Sequence, residues 1–413
     1  MQIRGTLLAL LSGAALCAAT PALALGPGAT IATGDMDGDG VSDIVALEPD
    51  VSQVDIVCMD PHGDFTLLPT QVFTDIPAMS SVSVADLNGD GIQDVIISDG
   101  SSAAAGVRVL FNDGHGVLSP DVAYASEAGG GKGPVSVTSA DLDGDGFPDL
   151  VTANGSDGTV SVLRNDGDGT FAAPAAYAAG TDPVAVAVAD VNGDGLPDLV
   201  VADLGSNSVQ ILLNDGDGTF AAPIAESVGA GPVAVALTDV DGDGKPDVVV
   251  VDRDDDTAGI LIGNGDGSFA PVQFVSTGAQ PGWLASRDLD GDGRPDLVTA
   301  NYSDGSISVF TNTGSGFVPA KTVFPAYGSY DTLVMDIGGK PQLVSTNVPA
   351  GTVVVIPASA PAQGVGDPPK TTVHHINGAQ DPQSSNGSGD FGLLSLMLIG
   401  LARLSRRGAC RRP

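Results

Sequence analysis

One nine-residue acidic stretch constrains this chain more than any other feature. It first reads Asp35-Met36-Asp37-Gly38-Asp39-Gly40-Val41-Ser42-Asp43, and it recurs from Asp86, Asp141, Asp190, Asp239 and Asp288. Successive starts lie 51, 55, 49, 49 and 49 residues apart. A reduced copy follows 48 residues later, as Asp336-Ile337-Gly338-Gly339-Lys340-Pro341-Gln342. Self-similarity at a period of about fifty residues means a repeat architecture, built from small units that each bury a face against the next.

Acidic or amide side chains fill loop positions 1, 3, 5 and 9 in all six full copies. Position 1 is Asp35, Asp86, Asp141, Asp190, Asp239 or Asp288. Position 3 is Asp37, Asn88, Asp143, Asn192, Asp241 or Asp290. Position 5 is Asp39, Asp90, Asp145, Asp194, Asp243 or Asp292, and position 9 is Asp43, Asp94, Asp149, Asp198, Asp247 or Asp296. Alternate oxygens on a tight loop converge on one point, and converging carboxylates repel each other unless a cation lies among them. Hard oxygen donors in a flexible loop suit Ca²⁺. Its shell would be completed by water and by the position 7 carbonyl of Val41, Ile92, Phe147, Leu196, Lys245 or Arg294. Mg²⁺ fits less well because it holds its own waters in a strict octahedron. The alternative is a Gly/Asp-rich turn without metal, which six copies of one ligand spacing disfavour.

The loop is not an EF-hand, which needs Glu at position 12 and flanking helices. Position 12 here is Ala46, Ile97, Thr152, Val201, Val250 or Thr299, within runs that read as strands. Position 9 must therefore supply the closing carboxylate. Asn88 and Asn192 remove one charge each, so the second and fourth sites are expected to bind Ca²⁺ more weakly. No metal is expected at the Asp336 copy, which is two residues short.

Each repeat reads as four short strands separated by Gly/Asp/Asn/Pro turns, the signature of an all-β fold. In residues 183–231 the expected strands are 184–189, 199–202, 207–213 and 223–228. Seven such repeats predict an all-β, seven-bladed β-propeller of four-stranded blades with a degenerate seventh blade. Small residues before the loops, Gly34, Ala85, Ala140 and Ala189, fit an innermost strand at a crowded centre. A calcium-stabilised solenoid needs a shorter period and glycine-rich nonapeptides, which are missing.

The Asp-x-Asp-x-Asp-Gly-x-x-Asp loop in a fifty-residue repeat resembles the FG-GAP/VCBS-type repeats of the integrin α-subunit propeller and many bacterial exported proteins. The turns Asn165-Asp166-Gly167-Asp168-Gly169-Thr170-Phe171 and 214–220 look like that family as well. The resemblance spans roughly residues 29–357, within a propeller domain set at 25–357. It implies Ca²⁺ between the first two strands of each blade, and adhesion or ligand binding more often than catalysis. The sequence departs from the pattern at Asp336 and in the first repeat, where Asp60-Pro61-His62-Gly63-Asp64-Phe65 replaces the usual turn.

The ends have their own signals. Arg4, the apolar run 7–19 and Ala22-Leu23-Ala24 read as an export signal peptide, residues 1–24. Residues 358–390 are rich in Pro, Gly, Ser, Gln and Asn and read as a flexible or extended linker; the alternative for 370–376 is a lone strand closing the seventh blade. The segment 391–413 joins a short apolar run to Arg403, Arg406, Arg407, Arg411 and Arg412. Twelve apolar residues fall short of the roughly 20 a membrane helix needs. This tail resembles the GlyGly-CTERM sorting signals of Gram-negative bacteria, which implies a transient tether and delivery to the cell surface. A permanent short anchor is the alternative.

The formal net charge is −35, and aspartates at positions 1, 3, 5 and 9 make up 22 of the 51 acids. No basic patch is present for nucleic acid. Cys17 lies in the signal and Cys410 in the tail, so Cys58 has no disulfide framework around it. No catalytic motif stands out. The four histidines are His62, His115, His374 and His375; the last two are adjacent in the linker and read as surface residues rather than ligands. Trp283, the only tryptophan, stands where sister copies have Ser81, Ser136, Ala185 and Ala234. With Tyr302 it forms a candidate stacking surface for a sugar or a partner side chain; packing filler is the alternative. These features together lead to the expectation of an exported, Ca²⁺-stabilised, non-enzymatic monomer that serves as an adhesion or ligand-binding module for a protein or glycan at the cell surface. A carbohydrate-binding lectin is the second reading, and a propeller enzyme such as a polysaccharide lyase the third.

Overall fold

The computed structural model describes residues 31–375, with breaks at 49–51, 60–64, 101–105, 127–132, 324–330, 348–351 and 358–371 and at a few single or paired positions. Strands dominate it, because each acidic loop is followed by a β-branched apolar run. In the fourth repeat Pro183–Ala189, Asp198–Asp203, Ser208–Leu212 and Ile224–Ser227 pair antiparallel in sequence order. The second strand, Asp-Leu-Val-Val-Ala-Asp, is buried at every position, as a strand covered on both faces must be. The fourth strand is largely exposed and forms the outer edge.

The same meander recurs in each of six blades. The first strands Ile31–Gly34, Met79–Ala85, Ser136–Ala140, Pro183–Ala189, Pro232–Thr238 and Pro281–Arg287 lie side by side in succession. Apolar clusters fill each blade interface: Leu87, Val107, Leu150 and Phe171 lie between blades two and three, and Leu142, Val160, Val201 and Phe220 between blades three and four. The result is an all-β propeller with four-stranded blades. Blade one adds a short fifth strand, Gln71–Val72, on Gln53–Met59.

A further four-stranded sheet follows, with Asp331–Ile337, Lys340–Asn347, Thr352–Pro357 and Thr372–His375 paired in order. Asp336 lies within its first strand opposite Pro341, so the reduced copy does not head a loop of the sixfold kind. Thr372–His375 falls inside the stretch 358–390 read as linker, and it carries the paired sheet past residue 357. The expected signal peptide, the rest of the linker and the tail 391–413 lie outside the described residues.

Candidate metal centres

The acidic loops join the first and second strands of blades one to six, and their geometry repeats. In blade three Asp141 folds the chain around its own carboxylate. Its Oδ1 accepts the N–H groups of Gly144 and Asp145 at 2.8 and 3.1 Å, and its Oδ2 accepts that of Gly146 at 2.9 Å. Asp35, Asp86, Asp190 and Asp239 accept the corresponding three N–H groups in their loops, and Asp288 those of Gly291 and Gly293. Gly144 and Gly146 sit at φ +80° and +93°, a backbone region that favours glycine.

Position 5 accepts the N–H of position 7. Asp39 binds Val41, Asp90 Ile92, Asp145 Phe147, Asp194 Leu196, Asp243 Lys245 and Asp292 Arg294, at 2.8 or 2.9 Å. The Lys245 ammonium also pairs with Asp243 at 2.8 Å, and the Arg294 guanidinium with Asp292. At position 3, Asp37, Asn88, Asn192, Asp241 and Asp290 accept the position 5 N–H. Asp143 faces the Arg164 guanidinium at 3.9 Å.

Position 9 differs from the others. Asp43, Asp94, Asp149, Asp198, Asp247 and Asp296 are all buried. In each, Oδ2 accepts the N–H of loop position 2: Met36, Leu87, Leu142, Val191, Val240 or Leu289. Each Oδ1 accepts an N–H from the end of the third strand: Met59, Asn112, Asn165, Asn214, Gly263 or Asn312. Burial, with the neighbouring loop carboxylates adding to it, pushes Asp43 up to about 7 and Asp94, Asp149 and Asp198 up to about 6. Asp247 and Asp296 are raised for the same reasons. A carboxyl in this state needs a proton or a cation to offset its lost hydration.

Three loops bring positions 1, 3 and 9 together. Carboxylate oxygens of Asp141, Asp143 and Asp149 lie within 4.8 Å of one another, as do those of Asp239, Asp241 and Asp247, and of Asp288, Asp290 and Asp296. In blade one the converging sets are Asp35, Asp37 and Asp39, and Asp37, Asp43 and buried Cys58. The carboxylate sets match the all-oxygen shell of a hard divalent cation.

Of the two readings of Trp283, packing filler is the one its burial supports, and no stacking surface forms with Tyr302. Trp283 is 1% exposed, whereas Tyr302 is 62% exposed in the following turn. The sister residues Ser81, Ser136, Ala185 and Ala234 are buried as well, because this position of the first strand always faces the packed interior. Trp283 is filler, and its Nε1 is buried without a hydrogen-bond partner.

Sequence reasoning missed the asparagine that opens the turn between strands three and four. Asn112, Asn165, Asn214 and Asn312 each donate Nδ2 to a position 2 carbonyl in another blade's loop, at 2.7 or 2.8 Å. Where Gly263 replaces this asparagine, the Gly267 N–H donates to Val191 O at 3.1 Å instead. The available signal was the recurrence of Asn-x-Gly at a nearly constant distance after position 9.

These blades and acidic loops define a β-propeller built from one recurring repeat. The FG-GAP-like repeat matches at residues 35–97, 86–152, 141–201, 190–250, 239–299 and 288–339, and the chain belongs to that family. No curated protein sequence matches it. Among solved structures it is similar to the periplasmic gluconolactonase PpgL of Pseudomonas aeruginosa: 14% identity, 86% of this chain, 99% of that chain, TM-score 0.57. It is also similar to BBS1N in complex with ARL6DN, at 13% identity over 82% of this chain and 94% of that one, TM-score 0.55. A Lactobacillus plantarum protein aligns at 17% identity over 73% and 86%, TM-score 0.54. At these identities the likeness is one of fold.

Proposed function

We propose that the chain is an exported, calcium-stiffened propeller of seven blades that acts as a surface adhesion or ligand-binding module. The convergence of buried Asp149 with Asp141 and Asp143, repeated in blades five and six, carries the calcium reading. Ca²⁺ would be held by positions 1, 3, 5 and 9 and would neutralise carboxylates that repel one another in its absence. The seventh blade would be the sheet ending at Thr372–His375, whose first strand lies beside the first strands of blades six and one. Export rests on the 1–24 signal, and cell-surface delivery on the 391–413 tail.

Melting the protein in calcium and in chelator tests the proposal. A large fall in melting temperature with chelator is expected; identical melts in both overturn calcium stiffening. Binding is supported by the engagement of the loop carboxylates with loop backbone N–H groups, repeated from blade to blade. A propeller of this fold binds a protein in the BBS1N–ARL6DN complex. Lactone hydrolysis is the second reading, suggested by the likeness to a gluconolactonase. Turnover of gluconolactone by the purified chain would favour it over binding alone.

A further inference from the structure

The interface between blades five and six lacks a side chain that two sister interfaces possess. Between blades two and three, Tyr124 packs edge-on against Phe171, with ring centres 5.1 Å apart and planes at 77°. Its hydroxyl donates to Gly169 O at 3.4 Å. Between blades three and four, Tyr177 meets Phe220 at 5.3 Å and 77°, and its hydroxyl donates to Gly218 O at 3.4 Å. Strand register identifies the residue that takes this place in blade five. Tyr124 pairs with Val107 and Tyr177 with Val160, while Val275 pairs with Ala258. The phenylalanine of the next blade is retained as buried Phe317.

Three replacements remove volume here. Val275 stands for tyrosine, Ala258 for Val107 and Val160, and Val240 for Leu87 and Leu142. The turn from Asn312 to Phe317 is also one residue shorter than that from Asn165 to Phe171. The space left is an open cavity of about 470 Å³ lined by Val240, Ile260, Val275 and Phe317, with Asp241 and Thr313 among its polar residues. That volume is within the range of ordinary ligand pockets, roughly 300–1,000 Å³. Phe274 and Val318, 50% and 47% exposed, also line it. Sister strands have Ala123, Ala176 and Ala225 where Phe274 stands.

We propose that this cavity receives a tyrosine side chain presented by a basic segment of a partner protein. The sister interfaces show the ring that such a slot accommodates, edge-on to a phenylalanine with its hydroxyl on a turn carbonyl. Exposed Asp241 and a chain charge of −35 favour lysine or arginine beside that tyrosine. The proposal rests on the binding-module reading and does not require bound calcium.

The test uses the full chain and a short capped peptide with one tyrosine between lysines, beside versions carrying alanine for tyrosine and glutamate for lysine. Binding is read by ligand-observed NMR and anisotropy. The tyrosine–lysine peptide is expected to bind at least about tenfold more tightly than either control. Val275→Tyr, which supplies the missing ring from within, should abolish binding without lowering the melting temperature. Phe274→Ala, at an exposed position, should weaken binding several-fold and keeps the test open if the first variant does not fold. Equal binding of the alanine peptide, or undiminished binding to both variants, overturns the proposal. Binding of p-cresol with no preference for flanking lysines overturns the protein partner and leaves a small phenol as occupant. The titration is run in calcium and in chelator. Loss of peptide binding in both conditions counts against this cavity, whereas an unchanged melt in chelator counts only against calcium.

Discussion

The side-chain amide of Asn165 donates to the backbone carbonyl of Leu87, 78 residues earlier, at 2.8 Å. The same amide donates to Pro148 O at 3.1 Å, while the Asn165 N–H is held by Asp149. One asparagine thus connects the acidic loop of its own blade to that of the blade before it. Replacing Asn165 with alanine should cost about 1–3 kcal/mol, since buried carbonyl acceptors lose their donor. A lower denaturation midpoint with an unchanged slope would show it; an unchanged midpoint would count against the inter-blade role.

The Arg108 guanidinium meets Asp99 at 3.1 Å with both side chains buried. Removing one member leaves the other charge buried. Arg108→Leu is expected to cost about 3–5 kcal/mol, and pairing it with Asp99→Leu should recover most of the loss. Equilibrium unfolding of the single and double variants provides the comparison. Additive losses would mean that the two charges do not depend on each other.

Asp252 is buried, and desolvation with help from the Asp255 charge pushes it up to about 7 from a usual value of 3.8. Its Oδ1 has no hydrogen-bond partner. The folded state therefore holds a proton that the unfolded state releases. The resulting stability is complete below pH 3.8 and is lost as pH rises toward about 7. Sister residues Asn154 and Asn301 are neutral and donate to Ser161 and to Ser306. Asp252→Asn should flatten this part of the pH–stability profile and raise stability at pH 8 by on the order of 2 kcal/mol. A profile parallel to that of the parent would contradict the assignment.

The proposed calcium binding has a measurable consequence: affinity should follow the local charge of each loop. Asn192→Asp adds a carboxylate to the fourth loop and should tighten its binding, and Lys245→Ala should do so in the fifth by removing the cation paired with Asp243. Calorimetric titration of the two variants against the parent checks both. Weaker binding in both would indicate that charge does not set affinity in these loops.

The strands of the fourth repeat were legible because alternating apolar runs lie between Gly/Asp turns; the observed Ser208–Leu212 falls within the expected 207–213. The role of Asp149 was only half legible. Its spacing marked it as an oxygen donor, but only the folded chain shows its two oxygens accepting the N–H groups of Leu142 and Asn165. The choice between packing filler and stacking surface for Trp283 was not legible, because an aromatic ring in place of a small residue reads the same on a surface as in a packed interior; its burial decides for filler.

The residues themselves determined the repeat, its strand content and the convergence of acidic oxygens, since these depend on spacing along a single turn or strand. Tertiary structure decided which groups meet between blades: Asn165 with Leu87, Tyr177 with Phe220, and the cavity where Val275 stands in place of a tyrosine. Such contacts join residues from different repeats, and their geometry depends on how neighbouring sheets twist and pack against each other.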